Sequence, residues 1–155
     1  MSGGVLTPTG YAKRLYGERT WADYTVEADI VAGSNTNCGI LVRARNASNG
    51  GANDSPKAGI YFVQGYLLKL ERTAVQLDKV NYVKDTKLSR KTITPLETGK
   101  SVNININVEG ATIKVYVNDS LTIEYTDYDN PYMTGMAGFW SADSNCTFDL
   151  FKVKT

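Results

Sequence analysis

The chain predicts an all-β domain, a two-sheet antiparallel β-sandwich. Strict alternation is the first sign. Within 24–30, Tyr24, Val26, Ala28 and Ile30 fall on one side and Thr25, Glu27 and Asp29 on the other. The same period governs 40–45, where Ile40, Val42 and Ala44 oppose Leu41, Arg43 and Arg45, as in half-buried strands. The second sign is a meander at 101–126, where Val102, Ile104, Ile106 and Val108 alternate with Asn103, Asn105 and Asn107. The third is the punctuation: polar connectors rich in Gly, Asn and Ser, with no helical period and no internal repeat.

Taken in order, Met1–Gly4 reads as a cloning remnant ahead of a single domain over 5–155, so a secretion signal or a parent enzyme could have preceded it. Residues 5–20 mix Pro, Gly, Tyr and charges without period and read as an arm laying aromatics against the sheet. Trp21 reads as a structural plug. The segment 46–58 is long, polar and rich in Gly and Asn, a candidate wall of a binding site. Next, 59–72 reads as two short runs hinged at Gly65-Tyr66, with Leu68 and Leu70 inward and Lys69 and Glu71 outward. The stretch 73–95 is weakly patterned and fits either a short strand near 76–83 or one helical turn. Glu109-Gly110 and Asn118-Asp119 turn the meander, and strands at 135–141 and 146–155 close the domain.

Composition narrows the function. Lys+Arg number 17 against 16 Asp+Glu over 155 residues, so no field draws the chain to nucleic acid. No apolar run approaches the roughly 18 residues of a membrane span. Histidine is absent, which removes Ser-His-Asp and Cys-His catalysis and the commonest metal ligand. Cys38 and Cys146 each stand between a polar loop and a strand; they are either a disulfide, which favours an extracellular setting, or two unpaired, partly buried thiols. The strand carboxylates sit in no glycosidase-like motif and read chiefly as a solvated face. Glu27, Asp29 and Asp149 could hold a structural calcium, although salt bridges to Lys152 or Lys154 explain them more simply.

Sugar recognition asks for a flat aromatic and for side chains that fork to vicinal hydroxyls. Arg43, Arg45, Tyr61, Gln64, Lys69, Glu71 and Trp140 are the candidates, with Tyr128 and Tyr132 in the loop before the last of them.

The order of pieces adds a resemblance. W-x-D-Y-T-V-E-A-D-I at 21–30, C-G-I-L-V-R-A at 38–44, G-I-Y-F-V at 59–63 and L-L-K-L-E-R at 67–72 make the first half. V-E-G-A-T-I-K-V-Y-V-N-D at 108–119, T-G-M-A-G-F-W at 134–140 and T-F-D-L-F-K-V at 147–153 complete it. Across about 15–154 this resembles the laminin-G-like, concanavalin A-like jelly rolls appended to bacterial glycoside hydrolases. Family-66 carbohydrate-binding modules, the lectin-like domain of galactocerebrosidase-type enzymes and 3-keto-disaccharide hydrolase-type domains share it. The resemblance implies two antiparallel sheets, a concave face or loop edge that holds sugar and, often, a bound calcium.

Together these readings give an expected non-catalytic carbohydrate-binding module, extracellular and monomeric. Its partners would be a polysaccharide or oligosaccharide and a covalently linked bacterial glycoside hydrolase, with no nucleic acid, no membrane and no required cofactor. The alternatives are a structural sandwich packing on a catalytic domain without ligand, and a metal-dependent 3-keto-glycoside hydrolase-type domain.

Overall fold

The computed structural model describes residues 11–34, 36–47, 63–82, 84–142 and 146–155. Tyr61 and most of the 46–58 segment lie outside the described residues. Eleven strands run in chain order: β1 (Tyr11–Tyr16), β2 (Tyr24–Val31), β3 (Cys38–Arg45), β4 (Gln64–Leu70), β5 (Ala74–Asn81), β6 (Lys84–Thr92), β7 (Ser101–Glu109), β8 (Thr112–Val117), β9 (Ser120–Thr126), β10 (Met136–Ala142) and β11 (Thr147–Lys154). They form a six-stranded sheet, β1-β10-β3-β4-β5-β6, and a five-stranded sheet, β11-β2-β7-β8-β9, antiparallel throughout. Among the described residues no helix is long and apolar enough to cross a membrane.

The main core fills the space between the sheets. Val26, Ala28 and Ile30 of β2 join Ile104, Ile106 and Val108 of β7 from one side, and Ile40, Leu68, Leu77 and Phe139 meet them from the other. Opposite-facing residues of the same strands, Asn105 and Asn107 among them, stay partly exposed, as the pleat requires. Trp21 packs on this core, and its ring fills the space a side chain at Gly17 would need. The six-stranded sheet is also buried on part of its other face, where Leu41, Leu67, Val80 and Trp140 form a second cluster. Cys38 and Cys146 are joined as a disulfide that ties the first residue of β3, in the six-stranded sheet, to the residue just before β11 of the other sheet.

Three elements differ from the sequence expectation. The arm at 5–20 contains β1, which pairs with β10. Gly65-Tyr66 does not turn the chain but lies inside β4, and the reversal comes at 71–73, where Glu71 N donates to Ala74 O at 2.9 Å. Glycine is needed at 65 for close approach: a Cβ there would stand 2.9 Å from Ala44 Cα. The stretch at 73–95 forms two full strands, β5 and β6.

A buried polar hub fixes the loop before β10. Asp127, 3% exposed, takes a hydrogen bond from the Tyr66 hydroxyl at 2.7 Å, another from Asp129 N at 2.9 Å, and an ion pair with Lys79 at 2.7 Å. Burial pushes the Asp127 carboxyl up, yet these donors outweigh burial and hold it below its ordinary value. A depressed folded pKa means stability that is present above the unfolded value, about 4, and lost as pH falls through the folded one. The stability advantage of the native chain over Asp127→Asn should therefore shrink as pH drops below about 4, read from urea midpoints across a pH series.

Candidate functional site

Strand register lines up one row across the outward face of the six-stranded sheet. Lys13 lies opposite Trp140, Trp140 opposite Gly39, Gly39 opposite Lys69, Lys69 opposite Gln76, and Gln76 opposite Arg90. Leu68 and Leu70 face the main core, so Lys69 and Glu71 project outward, as alternation predicts.

These side chains form one connected network. Arg90 forks onto Glu71, Nη1 donating to Oε2 at 2.6 Å and Nη2 to Oε1 at 3.0 Å, and Nη1 also donates to Gln76 Oε1 at 3.0 Å. Gln76 Nε2 donates to Asp78 Oδ1 at 2.8 Å. Lys69 Nζ lies 2.9 Å from Asp78 Oδ2 and 3.0 Å from Asp85 Oδ2, and 5.9 Å from the centre of the Trp140 ring. Beside the network opens a hollow of about 530 Å³, lined by Lys69, Glu71 and Gln76 together with Thr36, Asn37, Arg72 and Thr73. Hydrogen bonds from Arg90 hold the Glu71 carboxyl below its ordinary value against the opposing effect of burial. Asp78 is fully buried, and burial raises its pKa despite Lys69 and Gln76. Within the network cations and anions thus face each other, while Arg72 in the lining donates to the neutral oxygens of Leu96, Gly33 and Thr98.

The predicted residues do not all meet here. Lys69 and Glu71 line the hollow. Trp140 lies in the same row but is 2% exposed, one of the second hydrophobic cluster; its ring is packed and presents no free stacking surface. Arg43 is a correction of a different kind. A bulge at Arg43, φ 53°, shifts the β3–β4 register between Val42 and Arg45, and the guanidinium turns inward to 1% exposure. Its Nε donates to Ala22 O at 2.7 Å, and Nη1 donates to Tyr132 O at 2.7 Å and Gly110 O at 2.9 Å. The Tyr24 hydroxyl accepts the bulge's own N–H at 2.6 Å, and burial lifts the Tyr24 pKa to about 12. Gly135 makes room for the bulge: a Cβ there would meet the Arg43 carbonyl carbon at 2.3 Å.

Beyond the bulge, Arg45 and Gln64 pair with each other on the inward-facing side, at the end of the sandwich. Arg45 stacks over Tyr132 at 5.0 Å, and Gln64 accepts from Asn46 at 2.7 Å and donates to Asn81 at 3.1 Å. Tyr128 is 92% exposed whereas Tyr132 is buried. The sugar-binding set therefore divides between two places, and the outward hollow keeps Lys69 and Glu71.

Gln76, Asp78 and Arg90 are what sequence reasoning missed. Val75 and Leu77 alternate with Gln76 and Asp78, a period-two signal present but short. Arg90 lies on a strand with no buried residue to mark it.

Of the proposed calcium ligands, Asp149 lies opposite Asp29 in the β11–β2 register. Glu27 and Asp29 lie on the outward side of β2, and the Asn103 side-chain nitrogen donates to both, at 3.1 and 2.8 Å. Lys152 stands 3.5 Å from Glu27, and Asp149 accepts from Leu150 N. Among the described residues no group of three His, Cys, Asp or Glu side chains is placed to hold a metal. The donor set does not fit a calcium, which takes six or more oxygens.

Comparison with solved structures returns β-sandwiches, among them a carbohydrate-binding module and galectins. The family-66 carbohydrate-binding module from Bacillus subtilis matches with a TM-score of 0.73 at 17% identity, covering 99% of this chain and 97% of that one. A galectin of Caenorhabditis elegans matches at 0.60 and 8% identity over 97% and 96%, and sheep galectin-11 at 0.59 and 11% over 94% and 98%. At these identities the likeness shows the fold, a jelly-roll sandwich of the type found in carbohydrate-binding modules and lectins. No curated protein matches the chain in sequence. The model of the 3-keto-alpha-glucoside-1,2-lyase-like domain matches residues 1–154, nearly the whole length, and the chain belongs to that family.

Proposed function

We propose that this chain is a non-catalytic carbohydrate-binding domain that holds a neutral glycan in the outward hollow of its six-stranded sheet. The observation that carries the reading is the Arg90–Glu71–Gln76–Asp78–Lys69 network beside the hollow. Glu71 and Gln76 present adjacent donors or acceptors to the hollow and Lys69 an ammonium, while the buried Asp78 holds Lys69 and Gln76 in place; their mutual pairing favours an uncharged ligand. Hydrogen bonding carries the affinity, since Trp140 is packed away. Few ligand atoms would be buried, so the dissociation constant falls roughly in the micromolar to millimolar range. The disulfide supports an extracellular setting, consistent with an accessory domain that recruits a linked glycoside hydrolase to its polysaccharide.

The family match favours one alternative, a lyase-like domain acting on 3-keto sugars with carboxylates and a divalent metal. One experiment separates the two. The isolated chain is incubated with a panel of immobilised glycans and of 3-keto-glucosides, with and without EDTA. Retention on a glycan with no released product, unaltered by EDTA, is the expected result. An elimination product that disappears with EDTA would replace binding by catalysis.

A further inference from the structure

A second cleft opens between the free edges of the two sheets. β6 ends the six-stranded sheet and β9 ends the five-stranded one. The cleft encloses about 360 Å³; Thr92, Thr94, Ser120 and Thr122 supply hydroxyls, and Ile93, Leu96, Val102 and Val117 supply an aliphatic floor. No ionisable side chain lines it. The Thr122 hydroxyl donates to Ser120 O at 2.9 Å. Those of Thr92, Thr94 and Ser120 make no hydrogen bond to the described residues, so they can exchange water for a ligand.

This lining selects by chemistry. A charged ligand would lose hydration and find no counter-charge. A wholly apolar one would leave the hydroxyls unpaired. A neutral ring with an apolar face and a hydroxyl edge satisfies both surfaces, and the volume lies at the small end of ligand pockets.

The cleft also adjoins the outward hollow through a single strap of chain. Arg72 and Thr73 line the hollow, whereas Ile93 and Leu96 line the cleft. Ile93 N donates to Thr73 O at 2.9 Å, Leu96 N to Arg72 O at 2.8 Å, and Arg72 Nη1 to Leu96 O at 2.7 Å.

We infer that the cleft is a second subsite for the same neutral glycan, so that the domain grips the interior of a chain at two places. This rests on the carbohydrate-binding reading above. The test is an amide-shift titration with neutral gluco-, xylo- and fructo-oligosaccharides of one to six units, using the native chain, Ser120→Trp and Thr122→Lys. The native chain should gain roughly tenfold in affinity with length, with the Thr94 and Ser120 amides shifting only for the longer ligands. Both variants should lose that gain and keep the single-unit affinity and the melting temperature. A length gain preserved in both variants, or no shift at Thr94 and Ser120, overturns the inference and leaves the outward hollow standing. Cleft shifts without shifts at Glu71 and Gln76 overturn the outward hollow and keep the cleft. No binding in any series overturns both.

Discussion

The Cys38→Ala/Cys146→Ala double variant should unfold with about 5 kcal/mol less free energy than the native chain, because the bridge closes a loop of about a hundred residues in the unfolded chain. The sequence separation is 108, and a loop of that length is among the larger entropic constraints one bond can impose. Its position adds to the effect. Both cysteines are fully buried among residues of the main core, and the bond crosses between the two sheets. Urea unfolding of the native chain with and without reductant, beside the double variant, measures the loss. A difference under about 1 kcal/mol would mean that the unfolded ensemble is already compact across this span.

Arg43→Met should cost about 3 kcal/mol or more, the upper range for a single substitution, because one buried side chain carries several hydrogen bonds. Removal strands the carbonyls of Ala22, Gly110 and Tyr132, which the guanidinium ties together from three separate segments. The bond to Tyr132 O is buried and the other two are part-buried; a buried acceptor left unpaired costs about 1–3 kcal/mol, and the part-buried ones less, since water can reach them. Arg43→Lys should recover only part of the loss, since an ammonium lacks the planar fork. The urea midpoint falls while the slope of the transition stays constant. Glycan retention at a temperature where the variant remains folded should survive, because Arg43 has no exposure to ligand. Native-like stability in Arg43→Met would remove the inward guanidinium from the account.

Much of the fold was legible in alternation. β2, β7 and β8 each bury one side and wet the other, and the Asn118-Asp119 turn shows the positive φ values, 47° and 68°, of a two-residue hairpin. The failures have physical causes. β6 is exposed or half-exposed along its length, so no apolar period marks it. Gly65 resembles a turn residue, yet its lack of a side chain serves close packing against Ala44. The bulge at Arg43 reverses the side on which the following residues fall, and a period count carries no sign of it. Trp140 has the outward parity expected of it, but outward differs from exposed where Leu41, Leu67 and Val80 build a second buried cluster on the same face. The near-continuous apolar run from Cys38 to Ala44 was the available clue, since a strand buried on both faces loses its alternation.

The outward hollow is most directly tested by Arg90→Ala. Its ion pair with Glu71 is substantially exposed, at 41% and 38% for the two side chains, and solvent-screened pairs of this kind add little to stability. The variant should melt within a few degrees of the native chain yet lose retention on whichever neutral glycan the native chain holds, measured as mobility in affinity gels. Native retention in Arg90→Ala, with the fold intact, would contradict the assignment of sugar binding to this face.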